Sequence, residues 1–297
     1  MPEIPDLEAY INALCSRVLG QELKGVRLGN PFLLRTVDPP LSSVAGRMVI
    51  GIERVGKRLV LALDDDLFLV LHLMIAGRLH WKREGAGIPK GPGLAAFDFA
   101  GGTLLLTEAG KTRRASLHLV RGRDALAAMD PGGLEVMAAG PQAFNAALAK
   151  ENRTLKRALT DPHTLAGIGN AYSDEILHTA RLSPFKLTGT LTQEESERLY
   201  VASRAVLSEW TARLCAEAGN EFPDKVTAFR PEMAVHGRYG QPCPVCGARV
   251  QRIAYAENEC DYCPGCQTEG RIFADRALSR LLKDDWPREL KDLERGE

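Results

Sequence analysis

Two Cys-x-x-Cys pairs near the end of this chain constrain its fold more than any other feature. Cys243 and Cys246 form the first pair, Cys263 and Cys266 form the second, and sixteen residues lie between them. Small or rigid residues turn the chain at both pairs, namely Pro244, Gly247, Pro264 and Gly265. Four thiolates on two such turns can surround one Zn²⁺ tetrahedrally, whereas two disulfides are the alternative. The spacing therefore predicts a ribbon with one structural zinc ion, which by itself does not define a function.

The three other cysteines, Cys15, Cys215 and Cys260, form an odd set with no pairing pattern, which favours a reducing compartment. Cys260 is near enough to Cys263 in sequence to replace a ligand, but we interpret it as a thiol outside the site. No apolar run approaches the roughly 20 residues of a membrane-spanning helix. The first residues also lack the basic and apolar segments of a signal peptide. We therefore expect a cytoplasmic protein that does not contact membranes.

The charge balance gives no general support for a polyanionic partner. The chain has 38 Lys and Arg and 38 Asp and Glu, so its formal net charge is zero. One segment departs from this balance, because residues 111–123 contain five basic side chains and no acidic one. Any contact with nucleic acid must therefore come from such local clusters, and the alternative for this segment is a solvated strand edge.

The N-terminal part of the chain predicts one helix followed by a β-rich region. Apolar residues recur at helical spacing over about 6–19, with Asp6 placed as the cap. From about 22 to 120 they form short runs broken by Gly, Pro and Asp, such as RMVIGIERV at 47–55 and GTLLLTE at 102–108. This pattern predicts a β-sandwich or a small barrel behind a leading helix.

The C-terminal part is predicted to be helical and then to form the ribbon. Helices are expected near 142–150, 152–160, 170–180 and 192–218. Thr192 and Glu195 have the spacing of a capping box at the start of the last of these helices. The chain is thus predicted to be an α+β protein of several domains. Its predicted parts are a β-sandwich domain over 1–135, a helical domain over 136–235, a zinc finger over 236–275 and a charged helical tail over 276–297.

A glycine pair precedes the predicted helix that starts near residue 170. In the string AGIGN, Gly167 and Gly169 would let the backbone approach a phosphate, and Asn170 would add a side-chain donor. The alternative is a tight turn between two helices, because a lone Gly-x-Gly is a weak signal.

The first residues contain a second candidate site. Methionine before a small residue is normally removed, and Pro2 would then present a secondary amine. An α-amino group has a reference pKa of about 7.7–8.0, so part of it is neutral at physiological pH and could attack an electrophilic carbon. Glu3 would stand beside it and could move protons. The dipeptide alone is weak evidence, because many chains begin with Met-Pro.

These strings occur together and in order over nearly the whole chain. They are MPEIPDLE at the start, VGKRLVL around Lys57, HLMIAG from His72, the arginine pair at 113–114, LKRALTDPHTLAGIGNAYSDEIL over 155–177 and the ribbon ending in CPGCQ. In this combination the chain resembles the formamidopyrimidine-DNA glycosylase and endonuclease VIII family. Pro2-Glu3, the GIGNxYxDE string and the ribbon spacing are the most specific elements.

The resemblance implies a bifunctional DNA glycosylase and apurinic/apyrimidinic lyase, of bacterial type and active on nucleoid DNA. Its fold would combine a β-sandwich, a helix-two-turn-helix domain and a zinc finger. By position, Pro2 is the nucleophile at C1′ of the damaged nucleotide and Glu3 is the acid and base. Lys57 matches the lysine that contacts phosphate and assists the lyase steps. The partner would be damaged duplex or abasic-site DNA, bound by a monomer.

The resemblance also implies a set of DNA contacts. His72 matches a strand histidine near phosphate, and Lys156 and Asn170 match groups of the helical domain that face the DNA backbone. Arg113 or Arg114 matches the arginine that faces the strand opposite the lesion. For Glu175, which matches a buried acid of the helical motif, capping or core pairing is the preferred interpretation over catalysis.

The chain departs from the family pattern at the ribbon. Asn258 stands where the family has an arginine that binds phosphate and assists δ-elimination. The nearby acids Glu257, Glu259 and Asp261 would repel phosphate. We therefore predict that the finger is chiefly structural, and that strand cleavage stops mainly after β-elimination unless Lys57 or another base compensates.

It also departs at the residues that fill the duplex after base flipping. Ile75 stands at the family methionine and Ala115 at the family phenylalanine, and the loop that carries the arginines is about two residues longer. These changes suggest an altered lesion or opposite-base preference, so no particular damaged base is assumed. Two alternatives stay open, a catalytically reduced zinc-finger binder of damaged DNA and a ribosome-associated RNA binder.

Overall fold

The chain folds into two compact units in the computed structural model, which describes residues 1–110, 112–223, 226–254, 259–274 and 288–290. The first unit comprises Met1–Pro131 and Ser208–Thr227, and the second comprises Gly132–Leu207 and Ala228–Glu297. Glu257, Asn258 and the predicted helical tail fall outside the described residues, apart from 288–290 of the tail. The second unit contains both the helices and the ribbon, so this division does not test the predicted domain boundaries after residues 135, 235 and 275. Those boundaries stay a prediction.

The first unit contains a leading helix and eight strands. Helix α1 spans Ile4–Val18 and a short helix α2 spans Arg123–Ala127. The strands are β1 Glu22–Leu28, β2 Arg47–Val55, β3 Arg58–Leu63, β4 Leu67–His72, β5 Gly77–Lys82, β6 Gly93–Phe99, β7 Gly102–Glu108 and β8 Ser116–Arg121. All neighbouring strands are antiparallel, in the order β5-β7-β6-β1-β2-β3-β4-β8.

The sheet folds over at the joint between β1 and β2. These two strands share only two residue pairs, Glu22 with Met48 and Leu23 with Arg47. The two four-stranded halves on either side contribute to one core, which also takes the apolar face of α1. This arrangement confirms the predicted β-sandwich, because two antiparallel sheets bury their inner faces against each other.

Strands β3 and β4 are apolar on both faces, which explains their continuous hydrophobic sequence. Leu59, Leu61 and Leu69 point into the sandwich core. Val60 and Val70 lie on the opposite face, in a smaller cluster that includes Leu126 of α2. A strand covered on both sides cannot alternate apolar and polar residues.

Helix α1 begins two residues earlier than the sequence predicts. Its N-cap is Glu3, and Asp6 lies inside the first turn, where its Oδ2 accepts a hydrogen bond from the Glu3 backbone N–H at 3.0 Å. Asp6 is therefore not the N-cap residue, but its carboxylate does help to cap the helix, as the third helical residue in a capping box. Pro5 does not stop the helix, because the N–H groups of the first turn have no helical partner that a proline would remove.

The second unit is helical and ends in the ribbon. Its helices are α3 Pro141–Ala149, α4 Leu155–Thr160, α5 Asn170–Thr179 and α6 Gln193–Ala218, of which the part from Ser208 onward belongs to the first unit. The ribbon contains β9 Gln251–Ala254, β10 Glu259–Tyr262 and α7 Pro264–Gln267. The capping box is confirmed, since Thr192 N–H donates to Glu195 Oε2 at 2.9 Å and Glu195 N–H donates to Thr192 Oγ1 at 3.2 Å. Among the described residues, no helix is long and apolar enough to cross a bilayer.

Candidate active site and metal centre

Pro2 and Glu3 lie buried at the start of α1. Glu3 is 3% exposed, and its carbonyl accepts the first helical hydrogen bond, from Leu7 N–H at 3.0 Å. Its position as N-cap fixes the direction in which the chain enters the helix. The structure includes Met1, so the Pro2 nitrogen is an amide here and the free amine belongs to Met1.

Four charged side chains influence the pKa of this amine. Burial lowers the pKa of the Met1 amine most, and the positive charges of Arg78 and Lys57 lower it further, while the carboxylates of Glu3 and Asp6 oppose the change. The net direction is a pKa below the ordinary value. The Met1 amine is therefore held more in its neutral form than an amine in water.

Lys57 lies in the two-residue turn between β2 and β3, as the sequence predicts. Gly56 precedes it at φ +57°, a conformation that favours glycine and makes the tight turn possible. The Arg54 guanidinium donates to the Gly56 carbonyl at 2.8 Å and to Glu8 Oε1 of α1 at 3.3 Å. These bonds tie the turn to α1 and so fix Lys57 relative to the start of the chain.

His72 ends strand β4 and is half-buried between two neighbouring strands. It pairs in register with Arg58 on β3 and with Ser116 on β8. Burial lowers its pKa to about 4, with further contributions from the positive charge of Arg58 and of Lys57. The imidazole is therefore neutral at physiological pH, so it can share a hydrogen bond with a phosphate but cannot add a charge.

The loop that carries Arg113 and Arg114 is anchored by a buried acid. Glu108, at the end of β7, is 2% exposed, and its carboxylate accepts the backbone N–H groups of Arg114 and Ala115 at 3.0 Å. Both arginine side chains are exposed, and the Arg113 guanidinium donates to the Gly91 carbonyl. The sequence did not single out Glu108, because an acid that ends an apolar strand looks like an ordinary solvated residue.

The two residues at the family's duplex-filling positions differ in exposure. Ile75 is 62% exposed in the turn after β4, next to Met74 at the left-handed φ of +52°. Ala115 is 4% exposed and belongs to the sandwich core. Ile75 can therefore reach another molecule, whereas Ala115 cannot act as a wedge.

The second unit presents the AGIGN turn at the start of α5. Gly167 has φ +76°, Gly169 is the N-cap, and Asn170 is the first helical residue. Lys156 of α4 donates from Nζ to the Asn170 carbonyl at 2.7 Å and to Asp174 Oδ1 at 2.6 Å. Its side chain is 11% exposed, so the ammonium lies inside the unit. There it stabilises the turn through its hydrogen bond to the Asn170 carbonyl.

Glu175 connects α5 to the segment that leads into the ribbon. Its carboxylate accepts three backbone N–H groups, from Ala234 at 2.7 Å and from Val235 and His236 at 2.9 Å. Burial raises the pKa of Glu175, and the three N–H groups oppose the rise. These contacts support the interpretation of Glu175 as a core pairing residue.

Two acids of the ribbon pair with the same arginine, Arg252. Asp261 accepts the Gly237 N–H at 2.7 Å and two hydrogen bonds from the Arg252 guanidinium at 2.7 and 2.8 Å, and its side chain is fully buried. Glu259 also pairs with Arg252, at 2.7 Å. Arg252 offsets one of these two negative charges, and the expectation that the acids of this region repel phosphate stays a prediction.

The thiols of the two Cys-x-x-Cys pairs come together in the ribbon. Cys243 Sγ and Cys266 Sγ are 3.9 Å apart, and Cys246 Sγ and Cys263 Sγ are 3.3 Å apart. Both distances exceed the roughly 2.05 Å of a disulfide and lie within about 0.5 Å of the roughly 3.8 Å that separates two thiolates on tetrahedral zinc. Backbone N–H groups also point at two sulfurs, from Val245 to Cys243 and from Cys266 to Cys263, both at 3.4 Å.

These residues fit a metal and are consistent with a zinc ribbon. Cys260 is separate from them, since it is fully buried on β10 in a cluster with Ile253 and Tyr262. Burial raises its pKa well above the ordinary value, as suits an inert thiol. One further residue lies at the centre, because His178 Nε2 is 3.3 Å from Cys243 Sγ. No sequence pattern pointed to this histidine, which is 65 residues from its partner.

These elements define a class of protein in which a β-sandwich with a buried N-terminal dipeptide is combined with a helical unit and a four-cysteine ribbon. The model of the formamidopyrimidine-DNA glycosylase N-terminal domain matches residues 1–123. The model of the formamidopyrimidine-DNA glycosylase H2TH domain matches residues 130–213. The chain therefore belongs to the formamidopyrimidine-DNA glycosylase family.

Individual relatives match over most of their length. The formamidopyrimidine-DNA glycosylase of Thermus thermophilus is 35% identical over 279 residues, which is 91% of this chain and 100% of the relative. The crystal structure of MutM (Fpg) from the same organism has a TM-score of 0.76 at 33% identity, covering 90% of this chain and 98% of that one. The complex of Lactococcus lactis Fpg with DNA containing an abasic site has a TM-score of 0.78, 24% identity, and coverage of 90% and 99%.

Proposed function

We propose that this chain is a base-excision repair DNA glycosylase with apurinic/apyrimidinic lyase activity, which acts through a Schiff base on Pro2. The observation that carries the proposal is the buried Pro2-Glu3 start of α1, to which the turn that carries Lys57 is tied by Arg54. Family membership supports it. The alternative of a catalytically reduced DNA binder is not favoured, because Pro2, Glu3 and Lys57 are all retained.

The chemistry requires that Met1 is removed, so that the ring nitrogen of Pro2 is a free secondary amine. Its lone pair attacks C1′ of the damaged nucleotide, and the bond from C1′ to the base breaks. Opening of the sugar ring then leaves an iminium, while Glu3 transfers a proton to the ring oxygen. Loss of the C2′ proton expels the 3′ phosphate, and water finally releases the sugar remnant from Pro2.

A base inside a duplex does not expose its glycosidic carbon, so the enzyme must rotate the nucleotide out of the stack. We assign phosphate contacts to Lys57, His72 and Asn170, and contacts with the opposite strand to Arg113 and Arg114. We also assign Lys156 to the side of its unit that faces the DNA backbone. Its ammonium points inward, so it would act indirectly, by holding the turn at Asn170 in place. Ile75 is the exposed apolar residue that would fill the space left by the base, and the damaged base itself stays open.

The four thiolates of the ribbon would hold one zinc ion, which supplies structural cross-linking and no step of the reaction. We place the protein in the cytoplasm, acting as a monomer on nucleoid DNA. The free thiols of Cys15, Cys215 and Cys260 agree with a reducing compartment.

The proposal is tested by borohydride reduction on a duplex with one abasic site. Reduction converts an iminium into a stable amine, so a protein–DNA adduct is expected, and peptide mapping should place the sugar remnant on the N-terminal peptide that begins with Pro2. Intact mass of the purified protein shows whether Met1 has been removed. Fully processed protein that forms no adduct, or an adduct on another residue, would overturn the proposal.

Lys57 provides a prediction on pH dependence. Lys57 is one of the positive charges that lower the pKa of the Met1 amine, and we expect it to act in the same direction on the Pro2 amine once Met1 is removed. Lys57→Ala should therefore raise the pKa of the Pro2 amine and move the acid limb of the lyase pH profile to higher pH. The rate should therefore fall more at acidic than at alkaline pH. Lys24→Ala is the control, because Lys24 pairs with Glu84 on the surface. If the acid limb does not move, Lys57 does not influence the pKa of the amine.

The same variant tests the elimination chemistry. With Asn258 in place of the family arginine, we propose that cleavage of an abasic duplex stops mainly at the β-elimination product unless Lys57 acts as the base. A δ-elimination product that disappears in Lys57→Ala supports this compensation. An abundant δ-product that the substitution leaves unchanged contradicts these residue roles.

The basic segment provides a prediction on DNA binding. Replacing both Arg113 and Arg114 with alanine should weaken binding and reduce the slope of log affinity against log salt by up to about 2, because each arginine would no longer neutralise a phosphate. The matched control is the double alanine variant of Arg121 and Arg123, whose guanidinium groups pair with Asp65 and Glu53. Equal weakening in both variants, measured by fluorescence anisotropy, would show that the segment acts only through its net charge.

A further inference from the structure

Helix α5 contributes a histidine to the thiol cluster of the ribbon. We propose that His178 is part of the metal centre, as a hydrogen-bond donor to the Cys243 thiolate and as a reserve ligand that replaces Cys246. The inference rests on the metal site proposed above but not on the enzymatic activity. It assigns the centre five donor groups, of which four bind the metal at a time.

The geometry supports the hydrogen bond directly. His178 Nε2 lies 3.3 Å from Cys243 Sγ, a normal separation for an N–H···S hydrogen bond. His178 is 5% exposed and Cys243 is 3% exposed, so no water competes for the contact. A donor to a metal-bound thiolate withdraws charge from the sulfur and orients it, and removal of such an outer partner typically weakens metal binding by about 10–100-fold.

The reserve role follows from which donors lie together. His178, Cys243, Cys263 and Cys266 have ligand atoms within 4.8 Å of one another, and all four are buried or half-buried. Cys246 is the exposed cysteine of the centre. Tetrahedral zinc with bonds of about 2.0–2.3 Å needs ligand separations of roughly 3.5–3.8 Å, so a small movement would bring the imidazole onto the metal.

The two roles use the same nitrogen in different tautomers. With four thiolates bound, Nε2 carries the proton and donates it to Cys243 Sγ. When Cys246 is absent, the proton moves to Nδ1 and the Nε2 lone pair binds the metal, so the imidazole stays neutral in both states. A His and three Cys is a common ligand set for structural zinc.

The position of His178 also links the metal to the proposed DNA-binding turn. Helix α5 begins at Asn170 and carries His178 in its last turn. The ribbon is attached to the same region by Gln267, whose Nε2 donates to the Leu182 carbonyl at 3.0 Å. A metal that holds Cys243 therefore also holds the end of the helix whose start is proposed to face DNA.

The test uses the full chain and compares zinc content, zinc release to a chelator and the absorption of the Co²⁺-loaded protein. Cys246→Ser should retain one metal, and its Co²⁺ spectrum should show weaker thiolate charge transfer and one nitrogen ligand. Cys246→Ser combined with His178→Ala should lose the metal. His178→Ala alone should keep four thiolates but release zinc about 10–100-fold faster. Cys260→Ser is the matched control and should behave as the wild type.

His178→Gln separates the two roles. Its side-chain amide can donate to Cys243 but is not a zinc ligand. His178→Gln should therefore release zinc more slowly than His178→Ala. Combined with Cys246→Ser, however, it should still lose the metal. The inference is overturned if Cys246→Ser loses metal as completely as the double variant, or if His178→Ala releases zinc at the wild-type rate. A wild-type protein that binds no metal would overturn both this inference and the proposed zinc site, while a metal-loaded wild type without enzymatic activity would leave this inference standing.

Discussion

Glu3→Gln is expected to reduce base release by roughly 10²–10⁴-fold, the usual contribution of a general acid or base. Glutamine preserves the size of the side chain and the N-cap position at the start of α1 but cannot move a proton. Pro2→Gly should reduce the borohydride adduct by on the order of 10²-fold, because glycine leaves a free amine but does not hold it in place as the proline ring does. Both rates would be measured in single turnover on lesion-containing and abasic duplexes.

Two controls make this result specific. Glu22→Gln removes a carboxylate from the exposed start of β1 and should leave both rates unchanged. A lysine inserted after Met1 prevents methionine removal and should abolish the adduct while DNA binding persists. If that blocked protein forms the adduct at the normal rate, the nucleophile is not the amine of Pro2.

Glu175→Ala is expected to lower the free energy of unfolding of the second unit by about 3–5 kcal/mol. The substitution leaves the N–H groups of Ala234, Val235 and His236 without their shared acceptor, and two of these hydrogen bonds are buried. Glu175→Gln keeps one acceptor oxygen and should lie between alanine and the wild type. The measurement is chemical denaturation of the metal-loaded protein followed by circular dichroism.

The matched control is Glu194→Ala, which removes an acid from the exposed first turn of α6. A surface change of this kind usually alters stability by less than about 0.5 kcal/mol. If Glu175→Ala is no more destabilising than Glu194→Ala, the three hydrogen bonds do not anchor the segment before the ribbon. A large drop in base-release activity in fully folded Glu175→Gln would instead favour a direct catalytic role.

The elements of the fold were largely predictable because their signals are local. The strand over 47–55 and the strand over 102–108 have the predicted bounds, since glycines at or near their ends prevent longer runs. Helices α5 and α6 begin and end within one residue of the predicted limits. The start of α1 was predicted two residues late because Asp6 is a typical N-cap residue, whereas the first-turn position of Pro5 lets the helix begin earlier.

The candidate site was only partly predictable. Pro2, Glu3, Lys57 and the four cysteines belong to short strings, so their identity could be inferred from order and spacing. Glu108 and His178 could not, because each acts on a partner that no local pattern connects to it. The inward orientation of Lys156 was equally invisible, since it depends on the buried Asp174 carboxylate on another helix.

The sequence by itself determined most of the elements, the four cysteines of the ribbon and the chemical identity of the N-terminal dipeptide, because periodicity, turn residues and motif spacing act over a few residues. Only the tertiary structure decided which charges are paired, which acids accept hydrogen bonds from backbone N–H groups and which histidine contacts the cysteines. Those outcomes depend on burial and on distant partners, such as the cysteine that lies 65 residues from His178. Removal from water is what makes each such contact energetically important.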